Sequence, residues 1–129
     1  MLSDIEIQKI KSVISQKEEI SYALLFGSAR KRLLAHSDID LLIGGDLNKN
    51  LKDDLSMELT LELKRPVDIV LSKEARCEVV LKAFASGLPV LIRDKEKVKE
   101  DYFERYRLCD QSHPLRKIRL ERLKRVYGN

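Results

Sequence analysis

The sequence predicts an α/β domain, a small mixed sheet flanked by helices, and three stretches carry that prediction. Ile20 to Phe26 is an unbroken apolar run with the length of a buried strand. Ser37-Asp38-Ile39-Asp40-Leu41-Leu42-Ile43 opens with carboxylates at alternate positions, as a strand with two different faces does. Val67-Asp68-Ile69-Val70-Leu71 is a third strand-like segment, rich in β-branched residues and holding one Asp amid apolar neighbours. Helical patterns fill the intervals between them.

In chain order, Ser3-Asp4-Ile5-Glu6 fits a capping box, with Ser3 as N-cap and Glu6 three residues on. Ile7, Ile10, Val13 and Ile14 then keep one face apolar, so a helix is expected over 4–18. After the strand at 20–26, Gly27 permits a turn that other residues resist, and Ser28 can cap a helix running through Arg32 to Ala35. Amides exposed at such a helix start can hold an anion. Residues 50–64 are ambiguous, because Leu55, Met57, Leu59, Leu61 and Leu63 alternate as a strand would, yet Leu51, Leu55 and Leu59 fit helical spacing. Strong helix formers dominate the segment, and helix is the expectation.

A third strand is expected at 66–71, followed by a helix capped by Ser72, with Val80, Ala83 and Phe84 inward and its end at Gly87. Leu88-Pro89-Val90-Leu91-Ile92 reads as an edge strand, where Pro89 is tolerated. Asp94 opens a long polar helix with Val98, Tyr102, Tyr106 and Cys109 on one face; Pro114 interrupts it, and residues 115–127 resume with Ile118, Leu120, Leu123 and Tyr127 amid six basic side chains. There is no internal repeat and no low-complexity tract.

At 129 residues the chain is long enough for one domain and one core. Within it we expect a core over 1–93 and a basic C-terminal helical segment over 94–129, packed on that core or on a partner. Charge runs close to this division: Lys and Arg number 13 against 14 acids up to Ile92, and 12 against 7 from Arg93 onward, so the C-terminal part accounts for all of the net +4 and the rest is near neutral. Acidic residues sit among its basic ones, which argues against direct nucleic-acid binding. No apolar run is long enough to cross a membrane and no signal peptide is evident, so a cytoplasmic protein is expected. Cys77 and Cys109 lack the spacing of a metal knuckle or a disulfide framework and read as reduced thiols.

The carboxylates carry the chemistry. Asp38 and Asp40 project from one face of their strand while Ile39, Leu41 and Ile43 project from the other. Two carboxylates about 5–7 Å apart repel unless a cation sits between them, and a hard, oxygen-liganded ion such as Mg²⁺ suits them. Asp68 is the candidate third acid if its strand lies beside theirs. Taken singly, a Gly-Ser after a strand is an ordinary turn and an Asp at a strand start an ordinary solvated residue; their order and spacing together point to a site. His36-Ser37-Asp38 is not a triad, since three consecutive residues cannot converge on one reacting atom.

These residues resemble the minimal nucleotidyltransferases of the DNA polymerase β superfamily, whose pattern is a hydrophobic strand, Gly-Ser, a short interval, Asp-x-Asp in a second strand and a later Asp in a third. Gly27, Ser28, Asp38, Asp40 and Asp68 match it, and the order of segments is similar up to about residue 93. Many members carry a further glycine where this chain has Arg30-Lys31-Arg32-Leu33. The resemblance implies a polymerase β-like fold and Mg²⁺ or Mn²⁺ held by Asp38, Asp40 and Asp68, with Asp68 also assisting deprotonation of the acceptor hydroxyl. It further implies that Gly27, Ser28, Ser37 and Arg30 hold the phosphates of ATP.

The chain is especially similar to stand-alone members that act as antitoxins beside HEPN-type toxins, which implies AMP transfer from ATP to a tyrosine of the partner toxin. Two rivals stand beside this reading: a small-molecule nucleotidyltransferase, whose acceptor pocket would need an oligomer, and an antitoxin that acts by binding alone. The acceptor, the base preference, the number of AMP groups added, and homo- or hetero-oligomeric state are left open by the sequence.

Overall fold

A computed structural model describes residues 3–27, 38–109 and 125. Its elements are α1 (Asp4–Ser15), β1 (Ile20–Phe26), β2 (Ile39–Gly45), α2 (Lys49–Leu63), β3 (Val67–Leu71), α3 (Cys77–Ser86), β4 (Leu88–Ile92) and α4 (Lys95–Leu108). The expected helix after Ser28 and, apart from Arg125, the expected segment at 115–127 lie outside the described residues.

The four strands form one sheet in the order β3-β2-β1-β4. β1 runs antiparallel to both β2 and β4, while β2 and β3 are parallel, so the sheet is mixed as expected. Helices cover both faces, because the strands alternate apolar side chains to either side. On one face Ala23, Leu25, Ile39, Leu41, Ile43, Val67 and Ile69 pack against Ile10 and Ile14 of α1 and Leu55, Leu59 and Leu63 of α2. On the other, Tyr22, Leu24 and Leu42 meet Val80, Leu81 and Phe84 of α3 and Val98 and Tyr102 of α4. Tyr22, Phe84 and Tyr102 form its aromatic centre, with Phe84 and Tyr102 edge-on at 5.6 Å.

Tertiary contacts decide where several elements stop. The capping box at Ser3 and Glu6 forms as expected, but α1 ends at Ser15 rather than 18. There the Arg93 guanidinium donates to the carbonyls of Ser15, Lys17 and Ile20, placing a cation at the helix C-terminus. In α2 the stripe of Leu55, Leu59 and Leu63 is buried while Met57 and Leu61 face outward, which resolves the ambiguous segment as a helix. Asn48 caps its start by accepting from the Leu51 N–H. β4 is an edge strand, with Pro89 opposite Leu24 at a register irregularity.

Ser72 does not cap α3, which begins five residues later at Cys77 with Arg76 at the N-cap. Its hydroxyl is buried and donates instead to Asp101 Oδ2 at 2.9 Å. Tyr22 donates to the same oxygen at 2.7 Å, Lys97 pairs with the other at 3.1 Å, and Arg105 donates to the Ser72 carbonyl. This network fastens α4 to the sheet, and a buried carboxylate so surrounded is satisfied rather than stranded. The cysteines are also corrected: Cys77 and Cys109 are joined by a disulfide across 32 residues. Sequence spacing concealed this pairing because it is the packing of α3 on α4 that brings their Cα atoms to 5.9 Å.

Tyr22 reaches Asp101 by lying over Gly44, its partner on β2. A Cβ at position 44 would come within 1.9 Å of the ring. Gly44→Ala should therefore displace Tyr22 and cost about 1–3 kcal/mol by overpacking, to be read as a lower midpoint in urea unfolding.

Candidate active site

The end of β1 and the starts of β2 and β3 meet at one end of the sheet. Phe26 lies opposite Asp40 in the antiparallel pair, and Asp40 lies opposite Asp68 in the parallel pair. Asp38 and Asp40 share the parity of Leu42, and Asp68 that of Val70, so all three acids belong to the face covered by α3 and α4. The register brings Asp68 beside the Asp-x-Asp pair, the juxtaposition the sequence required. A hydrogen bond from the Ile39 N–H to the Pro66 carbonyl, 2.9 Å, ties the two strand starts together.

Gly27 closes β1 with φ +84°, in the region that favours glycine. A Cβ there would stand 2.4 Å from Asp40 Oδ2. The glycine thus serves twice: it turns the chain out of the strand, and it leaves the space beside the Asp40 carboxylate empty of side chain.

Asp40 is half-buried, whereas Asp38 and Asp68 are exposed. Its pKa is raised, first by burial and then by the negative charges of Asp68 and Asp38. Among the described residues no three Asp, Glu, His or Cys side chains already enclose one point as a finished metal cage. What the structure places together is a central carboxylate with two others close enough to repel its charge. An all-oxygen donor set with mutual repulsion and a side-chain-free space alongside fits a hard divalent cation.

Ser28, Arg30 and Ser37, expected to hold phosphate, lie outside the described residues, as do Lys31 and Arg32; Gly27 is the last described residue before them. Two hydroxyls that the sequence patterns do not single out, Ser56 and Thr60 of α2, bond to the main chain of Val67 beside Asp68. The available signal is weak: two poor helix formers four apart, in a stretch from Leu55 to Leu63 whose other residues are strong ones.

The fold has close counterparts. A toxin–antitoxin pair, MntA–HepT, contains a chain with 16% identity and a TM-score of 0.67, over 82% of this chain and 86% of that one. A toxin–antitoxin structure with AMP-PNP matches at 18% identity and a TM-score of 0.66, over 83% and 86%. A complex of tri-AMPylated Shewanella oneidensis HEPN toxin with MNT antitoxin matches at 17% identity and a TM-score of 0.64, over 83% and 86%. No curated protein matches the chain in sequence. The family described as polymerase beta, nucleotidyltransferase matches residues 8–96, a span that runs from α1 to the start of α4 and includes Gly27, Asp38, Asp40 and Asp68. The chain therefore belongs to the polymerase β nucleotidyltransferase family, and it is a nucleotidyltransferase.

Proposed function

We propose that the chain transfers AMP from ATP to a protein acceptor, a tyrosine of a HEPN-type toxin, and so acts as that toxin's antitoxin. The observation that carries this reading is the Asp40–Asp68 register on adjacent parallel strands, with Gly27 leaving the Asp40 carboxylate accessible. Support for the acceptor and the nucleotide comes from the similar folds, one an antitoxin in complex with a tri-AMPylated HEPN toxin and another determined with AMP-PNP.

In this mechanism Asp38, Asp40 and Asp68 would hold Mg²⁺ or Mn²⁺, which when bound offsets negative charge on the triphosphate and the leaving pyrophosphate. Asp68, exposed beside Asp40, would accept the proton of the incoming tyrosine hydroxyl as that oxygen bonds to the α-phosphorus and pyrophosphate leaves. Gly27 lets the triphosphate approach the strand end, with Ser28, Arg30 and Ser37 as its phosphate-holding neighbours. The basic segment 94–129 is the part of the chain we assign to packing on the core or on the partner toxin, and the cytoplasm is the compartment in which both would meet.

ATP should raise the melting temperature only when Mg²⁺ or Mn²⁺ is present, because the carboxylates repel the triphosphate without it. At a ligand concentration a hundred times its Kd the stabilisation is about 2.7 kcal/mol, readily seen by thermal shift. Equal shifts with and without metal, or none at millimolar ATP, count against the proposal.

A further inference from the structure

β3 pairs with β2 on one side only, so its other edge exposes main-chain groups that need partners. Val67, the residue before Asp68, turns both of its groups toward α2. Ser56 Oγ donates to the Val67 carbonyl at 2.6 Å, and the Val67 N–H donates to Thr60 Oγ1 at 3.1 Å. Two hydroxyls thereby take the place of a fifth strand at this one residue. They lie one helical turn apart on the same flank of α2, and Leu55, Leu59 and Leu63 hold that helix in the core.

Helix stability does not explain them. Ser and Thr are weaker helix formers than the Leu, Glu, Lys and Met around them, and mid-helix hydroxyls often turn back to their own helix. Here the Ser56 hydroxyl reaches out to another element. On the opposite side the Pro66 carbonyl is held by the Ile39 N–H. The start of β3, where an edge strand otherwise frays, is gripped from both sides at the two residues before Asp68.

We infer that Ser56 and Thr60 are positioning residues for Asp68, fixing its carboxylate against Asp40 through the main chain of Val67. The inference rests on the metal-site reading above. It assigns to α2 a supporting part in the site, although no side chain of α2 belongs to the carboxylate set. Supporting groups of this kind typically change metal affinity or activity by about 10–100-fold.

The test is calorimetric titration of the full chain with Mn²⁺ alone, using the parent, Asp68→Asn, Ser56→Ala/Thr60→Val, and that pair combined with Asp68→Asn. Removing both hydroxyls should weaken Mn²⁺ binding about tenfold in the parent and leave it unchanged in the Asp68→Asn background, since the hydroxyls act only through Asp68. Ser56→Thr and Thr60→Ser, which retain the hydroxyls, should bind as the parent does. If the double variant fails to fold, Ser56→Ala and Thr60→Val are titrated separately, with the same expected direction. A parent and an Asp68→Asn variant that bind Mn²⁺ alike would overturn the metal-site reading and the inference with it. Loss of binding in Asp68→Asn but parental affinity in the hydroxyl variants, or equal weakening in both backgrounds, would overturn the positioning role alone.

Discussion

Asp40→Asn is expected to slow nucleotide transfer by roughly a thousandfold or more, about 4 kcal/mol of lost transition-state stabilisation, while raising the melting temperature of the metal-free protein. The two effects have one cause. Asp40 is half-buried between two like charges, so its negative charge opposes folding in the absence of a cation and is what a cation would bind. Asparagine keeps the shape and removes both. The pH dependence has a definite sign. Asp40 has a pKa raised by burial and by Asp68 and Asp38, so the folded protein holds this proton more tightly than the unfolded chain. The stability so gained is complete below the ordinary carboxylate range and is lost as pH rises through the raised value. The metal-free parent should therefore lose stability over that interval relative to Asp40→Asn, and a series of thermal melts with pH measures the difference.

Gly27→Ala should lower the transfer rate on the order of a hundredfold, as a displacement of about 1 Å at a reacting centre does. The new methyl would sit 2.4 Å from Asp40 Oδ2, so the carboxylate must turn or the strand end must move. A left-handed backbone conformation adds about 1–2 kcal/mol of strain for an L-residue. Unlike Asp40→Asn, this variant should melt below the parent. Opposite signs of stability change with the same direction of activity change separate a removed charge from a displaced one.

Much of this arrangement can be read from the chain because it depends on local period. The alternation of Asp38 and Asp40 with Ile39 and Leu41 sets which face they share, and the apolar run at 20–26 marks the strand that delivers Gly27. The Leu55, Leu59 and Leu63 stripe likewise outweighs the alternating Met57 and Leu61. What cannot be read this way depends on contacts between distant segments. Ser72 looks like a cap because a hydroxyl before a helix often is one; its bond to Asp101, 29 residues away, exists only once α4 lies on the sheet. The Cys77–Cys109 bond has the same origin. Gly44 shows no sequence sign that its missing side chain makes room for Tyr22. The Ser56 and Thr60 bonds to Val67 follow from β3 being an edge strand, a property of the sheet order rather than of either segment.

The most direct test of the assigned chemistry is incubation of the parent and Asp40→Asn with ATP labelled at the α-phosphate, Mg²⁺ and the HEPN-type partner polypeptide. We predict label on a partner tyrosine with the parent, none after chelation of the metal, and at least about a thousandfold slower labelling with Asp40→Asn. A partner left unlabelled by the parent, or an Asp40→Asn variant that labels it at the parental rate, would contradict the account.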